Sequence, residues 1–399
     1  MPINSEIISK EEKMSRAKHT RFSFKHGSNE YFLTFISDNS LDFSSQVSFI
    51  FEQYFKKLEE LGINLQSGIY VNIYLSDSGN QEEYVRGTVE FKKLLQNNIS
   101  VTLIQMPPTS SKIAILAYHL IAKSELTKSE IKVTNVLELF TGVKVAHNGM
   151  EHYYLKNLIS DERLNVFNQS YNLFETIEDF CGKNNIPLDN LIRTWIYVRD
   201  IDNNYKDMVE ARNKIFKKWG FFDKNKFPAS TGIGGGTFNS QHHVFVDAVL
   251  ANGLLPGQIT KLEVPSHMNP TVEYGVSFER AINVEYGDRK HIYISGTASI
   301  NNKGEIIHLG DIIKQTERTL ENIKALIAQA SCRMDDIAYL IVYLRDFNDE
   351  CRVRQYLKEN IPPHIPHLIL RAKVCRPGWL IEIDGLAVAA NNNPAYKIY

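Results

Sequence analysis

The feature that most constrains the fold of this chain is an internal repeat. Three segments align in order and spacing, and each contains an apolar run that ends in the pattern Tyr-x-x-Asp. A short polar turn and a second helical pattern follow each run. A chain of 399 residues is long enough for three such units. The repeated positions are Tyr74 and Asp77, Tyr197 and Asp200, and Tyr343 and Asp346.

The sequence around each Tyr-x-x-Asp pattern predicts the same order of elements. A strand and an amphipathic helix precede the apolar run, and two more strand patterns follow the second helix. In the third copy the first helical pattern covers 312–330, with apolar residues at intervals of three and four. We therefore predict an α+β protein of three β-α-β-α-β-β units, each with helices on one face of its sheet.

The limits of these units follow from the repeat and from its unequal spacing. The extra length between the second and third copies predicts an inserted loop, and both chain ends are typical of mobile tails. The predicted parts are a flexible N-terminal tail at 1–26, a degenerate first unit at 27–128, a second unit at 129–255, an inserted loop or linker at 256–288, a third unit at 289–390 and a C-terminal tail at 391–399.

The repeat also predicts how the units pack. A unit of this kind leaves apolar sheet surface that one layer of helices cannot cover, and three units around a common axis would bury it. Clefts between neighbouring units would then form pockets, one of which could hold asymmetric chemistry. We expect a pseudo-trimer within one chain that is a monomer or a low-order homo-oligomer in solution.

Charge and hydropathy exclude several classes of protein. The net charge is −1, from 45 basic and 46 acidic side chains, which argues against a nucleic-acid partner bound by phosphate neutralisation. The N-terminus lacks the apolar segment of a secretory signal, and the longest apolar run, at 113–122, is too short to span a membrane. The four cysteines show no paired spacing, which favours a reducing cytoplasm.

Two motifs suggest ligand sites that their surroundings do not support. The run TGIGGGT at 231–237 precedes a strand pattern rather than a helix, so we predict a hairpin turn and not a phosphate loop. His242 and His243 are neighbours on that strand and would point to opposite faces. No other metal-ligand spacing is present, and we predict no metal and no cofactor.

The second and third copies contain several distinctive strings: SGTASI, LIVYLRD, RTWIYVRD, PASTGIG, YGVSFERA, HLGDIIKQTERTLENI and VCRPGWLIEIDG. With these strings the third copy resembles the RidA/YjgF family over 289–390, and the second and third copies together resemble the chorismatases. Chorismatases are fused proteins of this fold that cleave chorismate to pyruvate and a ring acid. The resemblance implies three RidA/YjgF-like units, of the chorismate-mutase-like type, fused as a pseudo-trimer.

Cleavage of an enol ether requires a general acid with a raised pKa, which a carboxyl in an apolar wall supplies. In the run Trp-Leu-Ile-Glu-Ile-Asp, strand alternation places Glu382 and Asp384 on one face. The resemblance implies that Glu382 is the catalytic acid. From the residues alone, a surface carboxylate on a half-exposed strand is the alternative.

Chorismate carries two carboxylates, for which arginine is the preferred partner. The resemblance implies a carboxylate grip for Arg371 and a shared Cys-Arg element for Arg376. Each arginine could equally form a solvated or structural ion pair. The candidates are Arg212, Arg280, Arg371 and Arg376.

Three further residues are candidates for contacts with the substrate. Cys375 precedes Arg376 and would face away from it on a regular strand; the resemblance implies that a cysteine here marks members that form a hydroxybenzoate. Gly296 would let a ring approach the backbone, or it marks a strand bulge. Tyr274 could bind the substrate or anchor the inserted loop.

Three functions are therefore compatible with the sequence. The first is chorismatase-like cleavage of a small dicarboxylate substrate, with Glu382 as proton donor. The second, implied by the RidA resemblance, is hydrolysis of enamines or imines with Arg371 and Glu382. The third is a non-catalytic module that binds small acids in the same clefts.

Overall fold

Three β-sheets with packed helices make up the described residues of the computed structural model, which are 17–24, 27–122, 125–131 and 142–399. The first sheet contains β1 (Ala17–Phe22), β2 (Asn29–Ile36), β3 (Gly68–Leu75), β4 (Ser100–Gln105) and β5 (Ile113–Ile121), in the order β1-β2-β5-β3-β4. Its helices are α1 (Phe43–Glu60), α2 (Ser78–Gly87) and α3 (Val89–Gln96).

The second sheet has six strands and carries two long helices and one short one. The strands are β6 (Leu126–Ile131), β7 (Gly142–His147), β8 (Met150–Ile159), β9 (Leu191–Val198), β10 (Ala229–Gly234) and β11 (Val244–Asn252), in the order β10-β9-β11-β8-β7-β6. The helices are α4 (Val166–Lys183), α5 (Ile201–Lys218) and α6 (Phe221–Lys224).

The third sheet also has six strands and carries two helices. The strands are β12 (Ile259–Leu262), β13 (Ala281–Glu285), β14 (Arg289–Ala298), β15 (Ile337–Leu344), β16 (His367–Arg371) and β17 (Ile381–Ala390), in the order β12-β13-β14-β17-β15-β16. The helices are α7 (Ile312–Ala328) and α8 (Glu350–Asn360).

The three sheets share a four-stranded core with one topology. Each core runs first-fourth-second-third in chain order, as β2-β5-β3-β4, β8-β11-β9-β10 and β14-β17-β15-β16. Only the last pair of each core is parallel, because a helix connects those two strands. The predicted β-α-β-α-β-β order is therefore present in all three segments.

Helix α7 shows why the sequence forms these elements. Asp311 caps the N-terminus, since its carboxylate accepts hydrogen bonds from the backbone amides of Ile313 and Lys314. The buried residues of α7 recur at intervals of three and four, and they pack on β14 and β17. The periodicity predicted from sequence therefore matches the face that the helix buries.

The sheets contact one another in a closed cycle. Strand β4 of the first sheet packs beside β8, β10 beside β14, and β16 beside β2. One cluster of buried apolar residues spans all three sheets and includes Phe32, Tyr154 and Tyr293. The apolar surface that a single unit would expose is thus covered by its neighbours. Within the described part of the chain, no helix combines the length and apolar composition needed to cross a bilayer.

Both predicted tails are wrong where the structure describes them. Ala17–Phe22 pairs antiparallel with β2, while residues 1–16 and 25–26 lie outside the described residues. Tyr399 is buried, and its hydroxyl lies 3.1 Å from the Tyr118 hydroxyl and 3.2 Å from the Tyr154 hydroxyl. Its backbone amide donates to Asp288. An aromatic last residue gives the tail apolar surface to bury, so 391–399 is anchored.

Two further predictions need correction. The segment 256–288 contains β12 and β13, which extend the third sheet at its edge because Ala281, Ile282 and Val284 are buried. The segment that includes TGIGGGT is not a hairpin, since β9 lies between β10 and β11 and pairs with both.

Candidate active site

A cavity of about 250 Å³ lies between the second and third sheets. Helix α5 and strand β10 form one wall, and β14, β17 and the turn after β16 form the other. The volume is close to the lower end of the range for small-molecule sites. The lining residues are Tyr205, Arg212, Ser230, Gly232, Val276, Phe278, Arg280, Gly296, Ala298, Ile300, Cys375, Arg376, Trp379 and Glu382.

Glu382 is the carboxyl group of this cavity. It lies on β17 between Tyr343 of β15 and Ala298 of β14, and it is 4 % exposed. Burial raises its pKa to about 8, and the nearby charge of Asp384 adds to this, while Arg193 and Arg280 oppose it. Glu382 is therefore protonated at neutral pH, which is the state a general acid needs.

Asp384 lies on the same face of β17, as strand alternation predicts, and it is fully buried. Its Oδ2 accepts a hydrogen bond of 2.9 Å from Arg193 Nη2 and one of 2.7 Å from the Thr231 hydroxyl. The Tyr343 hydroxyl and the Trp195 indole also donate to it. Burial raises the pKa of Asp384, and the Arg193 charge and these donors lower it.

The two carboxyls differ in what surrounds them. Asp384 faces a guanidinium and three neutral donors, which favour its ionised form, whereas Glu382 faces the cavity. The pKa of both carboxyls is raised by burial, and the nearby Asp384 raises that of Glu382 further, while the guanidinium and the donors around Asp384 favour the proton on Glu382. Arg193, whose guanidinium pairs with Asp384 at 2.9 Å, is itself absent from the cavity lining.

Gly296 lines the cavity and lies at an irregularity of β14. A Cβ atom at this position would lie 2.1 Å from Glu382 Oε1 and 3.2 Å from Thr231 Cγ2. The pairing of β14 with β17 shifts register between Ile294 and Thr297, so the bulge alternative is correct. The missing side chain leaves room for the Glu382 carboxyl.

The methyl group of Gly296→Ala would displace the Glu382 carboxyl. We expect this variant to slow the reaction at this site by about 100-fold, because a misplacement of about 1 Å has an effect of that size. The measurement is the steady-state rate of the folded variant. Gly182→Ala in α4 is the matched control, because its added methyl meets nothing within 4 Å. Equal rates in wild type and Gly296→Ala would show that the carboxyl position is unimportant.

Three of the four predicted arginines line the cavity. Arg212 on α5 is 2 % exposed and Arg280 is 6 % exposed. The Arg280 guanidinium donates to the backbone oxygen of Asn269, at 2.9 Å from Nη2. Arg376 donates to the backbone oxygen of Gly304 and stacks on Trp379. Cations on opposite walls suit a ligand with two separated carboxylates.

Cys375 and Arg376 both line the cavity, which corrects the prediction that they face opposite sides. Strand β16 ends at Arg371, and a turn through Pro377 and Gly378 follows, so strand alternation does not apply. Burial raises the pKa of the Cys375 thiol to about 12. The thiol is therefore neutral and acts by shape and polarity.

Arg371 does not belong to this cavity. It is the last residue of β16 and lines a separate cavity together with Arg199, Arg345 and Lys373. The sequence could not reveal this, because the end of β16 meets the ends of β4 and β10 only in the folded chain. Tyr274 ends a 3-10 turn that begins at Thr271, and its side chain lies outside the described residues.

Several lining residues were not predicted. Tyr205, Phe278 and Trp379 provide aromatic walls, and Ser230 adds a hydroxyl. Arg193 was missed although it lies in the quoted run RTWIYVRD; its alternation with Trp195 on β9 was the available signal. No cluster of three or more His, Cys, Asp or Glu side chains suited to a metal occurs among the residues described.

The corresponding strands of the other sheets lack the acid. By strand register, Glu382 pairs with Tyr343, Phe245 with Tyr197 and Ala114 with Tyr74. Phenylalanine and alanine cannot donate a proton. Of these three equivalent positions, the one at Glu382 therefore carries a side chain that can donate a proton.

A buried ion pair lies between the first and second sheets. Lys156 Nζ lies 2.9 Å from Asp247 Oδ2 and 2.8 Å from Asn72 Oδ1. By register Asp247 occupies the position of Asp384. In this cleft the equivalent aspartate is paired with a buried lysine.

The chain is similar to several known proteins in sequence and in fold. A family described as Endoribonuclease L-PSP matches residues 277–389. A 3-hydroxybenzoate synthase of Streptomyces hygroscopicus is 25% identical over 279 residues, which cover 62% of this chain and 76% of that protein. A chorismatase of Streptomyces rapamycinicus is 27% identical over 234 residues, covering 54% of this chain and 68% of that protein.

A crystal structure of a chorismatase superimposes with a TM-score of 0.61 at 18% identity, covering 81% of this chain and 93% of that one. At this identity the match shows a shared fold. Four of the strings that carried the resemblance in the sequence contribute residues to the lining of the Glu382 cavity: SGTASI, PASTGIG, YGVSFERA and VCRPGWLIEIDG. The chain is therefore similar in sequence to a 3-hydroxybenzoate synthase and a chorismatase, and it is similar in fold to a chorismatase.

Proposed function

We propose that this protein cleaves chorismate to pyruvate and a ring acid, with Glu382 as the general acid. The observation that carries the proposal is a carboxyl with a pKa near 8 in a cavity that Arg212, Arg280 and Arg376 also line. The names of the sequence relatives support the choice of substrate. The partner of the site is then a small dicarboxylate.

The proposed reaction begins with proton transfer from Glu382 to the methylene carbon of the enol ether. The adjacent carbon becomes an oxocarbenium ion, and Glu382 becomes a carboxylate. Breakdown of this ion to pyruvate breaks a carbon–oxygen bond. If water adds to the oxocarbenium carbon, the bond between that carbon and the ether oxygen breaks, and the ring leaves as a dihydroxycyclohexadiene carboxylate. If the bond between the ring and the ether oxygen breaks instead, that oxygen becomes the carbonyl oxygen of pyruvate. The ring then loses a proton, which can return to Glu382, and leaves as a hydroxybenzoate with no net water consumed.

We propose a hydroxybenzoate as the ring product. Cys375 lies in the cavity wall with a neutral thiol, and the resemblance associates a cysteine at this point with hydroxybenzoate formation. The relative from Streptomyces hygroscopicus is named a 3-hydroxybenzoate synthase.

The test is to incubate the purified protein with chorismate and to measure pyruvate with a coupled lactate dehydrogenase assay. Chromatography with authentic hydroxybenzoates and the dihydrodiol identifies the ring product. We expect equal molar amounts of pyruvate and a hydroxybenzoate. Pyruvate at the rate of spontaneous breakdown would remove the proposed function, and a dihydrodiol would remove only the proposed product.

The pH dependence should report the protonation of Glu382. Because its pKa is raised to about 8, the acid is intact below that pH and is lost above it. We expect kcat/KM to fall about tenfold per pH unit above pH 8, since this parameter reports the free enzyme. A decline that begins near pH 4.5, the ordinary value for glutamate, would contradict the assignment.

The architecture supports a fused pseudo-trimer of RidA-like units. The three sheets share one core topology, and they contact each other in a cycle. The strand register matches Glu382 with Phe245 and Ala114. We propose that fusion allowed one cleft to retain the acid while the others became scaffold. The RidA-type deaminase alternative required Arg371 beside Glu382, and these residues line different cavities.

A further inference from the structure

A second cavity, of about 330 Å³, lies where corresponding ends of the three sheets meet. In the strand register, Gln105, Gly234 and Arg371 are equivalent last residues of β4, β10 and β16. All three line this cavity. It therefore lies on the pseudo-threefold axis proposed above, away from Glu382.

Backbone hydrogen bonds between the sheets surround this cavity. The Gln105 amide donates to the Gly236 oxygen at 2.8 Å, and the Gly234 amide donates to the Lys373 oxygen at 2.9 Å. The Arg371 amide donates to the Pro107 oxygen at 2.7 Å. Each sheet is thus bonded to the next one, so the rim is held in place before any ligand arrives.

The cavity has an excess of positive charge. Arg199, Arg345, Arg371 and Lys373 line it, and Asp200 is the acidic residue among the lining side chains. Asp202 pairs with Arg345 at 2.5 Å and with Lys373 at 2.8 Å. Four cations therefore face two carboxylates.

Two of the arginines have no carboxylate partner among the residues that the structure describes. The Arg199 guanidinium donates to backbone oxygens, at 2.6 Å to Thr237 and 3.4 Å to His242. Arg371 is exposed and makes no side-chain hydrogen bond or ion pair within the same part of the chain. Helix α5 also begins at this cavity, and Asp200 makes no side-chain capping bond there, which leaves a partial positive charge.

From this arrangement we infer a second, non-catalytic binding site for a compact oxyanion with two or more negative charges. Guanidinium groups match phosphate and carboxylate oxygens through paired hydrogen bonds. Arg371 and Arg199 would contact the anion directly, and Arg345 and Lys373 would share their charge between the anion and Asp202. The inference rests on the charge and packing of this cavity and not on the reaction at Glu382.

The test uses the full chain and isothermal titration calorimetry with inorganic pyrophosphate and, separately, citrate, in buffers matched in ionic strength with KCl. We expect saturable binding of one anion per chain. Stronger binding of pyrophosphate would indicate a phosphate-type ligand, and stronger binding of citrate a polycarboxylate. Arg371→Gln should weaken binding at least about tenfold, the loss expected for a charge-assisted hydrogen bond.

Two variants serve as matched controls. Arg352→Gln removes another exposed arginine, on α8 and outside the lining, and should leave binding unchanged. Glu382→Gln alters the active cavity and should also leave it unchanged. Absence of saturable binding by both anions, equal losses in Arg371→Gln and Arg352→Gln, or loss of binding in Glu382→Gln would each overturn the inference.

Discussion

Glu382→Gln is expected to lower kcat for pyruvate release by about 10²- to 10⁴-fold, the range that a general acid contributes. Glutamine keeps the size of the side chain and its ability to donate a hydrogen bond, but it cannot transfer a proton. The effect should fall on kcat more than on KM, because Arg212, Arg280 and Arg376 still line the cavity. Steady-state assays with chorismate measure both parameters.

The pH dependence of the free energy of unfolding of the same variant distinguishes the loss of a proton donor from a loss of structure. The folded pKa of Glu382 is about 8 against an ordinary value of 4.5, so the folded state holds a proton that the unfolded chain releases. Glu382 therefore destabilises the wild type increasingly as pH rises from about 4.5 to about 8, by a few kcal/mol. The amide of the variant does not titrate, so the variant lacks this pH dependence. A variant that unfolds more easily at pH 7.5 than wild type would contradict this.

Arg193→Met is expected to reduce the free energy of unfolding by about 3 to 5 kcal/mol, because it leaves the charge of Asp384 buried without its cation. Arg193 and Asp384 are both fully buried, and their atoms lie 2.9 Å apart. Urea unfolding at pH 7 measures the loss. Adding Asp384→Asn should restore part of the stability, since the neutral amide no longer needs the guanidinium.

Lys156→Met is the matched control in the neighbouring cleft. Its partner Asp247 occupies the register position of Asp384, and this pair is also buried. We expect a similar loss of stability from Lys156→Met. The catalytic rates of the two variants should differ at a temperature where both stay folded, because of the two removed cations it is Arg193 that lowers the pKa of Glu382. Equal rates in the two variants would contradict a role for Arg193 in tuning the acid.

The sequence predicted what depends on local periodicity. Alternation along β17 placed Glu382 and Asp384 on one face, and the repeated Tyr-x-x-Asp pattern located three cores of equal topology. Both follow from residues that are close together in the chain. The burial of Glu382 and Asp384 could not be predicted in this way, because it depends on the neighbouring sheet, whose β10 packs on β14.

What the sequence missed depends on contacts between units. Arg371 was assigned to the wrong cavity because its surroundings are set by strand ends more than a hundred residues away. Cys375 and Arg376 share the active cavity because a turn replaces the predicted strand. The anchoring of Tyr399 likewise depends on tyrosines of two other sheets. Local patterns carry no information about such packing.

Infrared difference spectroscopy of wild type against Glu382→Gln at pH 7 most directly tests the claim that a buried, protonated carboxyl lies among arginines in this cavity. We predict a band of the protonated carboxyl carbonyl that is present in wild type, absent from the variant, and lost as the pH passes about 8. A difference spectrum at pH 7 that contains only the bands of an ionised carboxylate would contradict it.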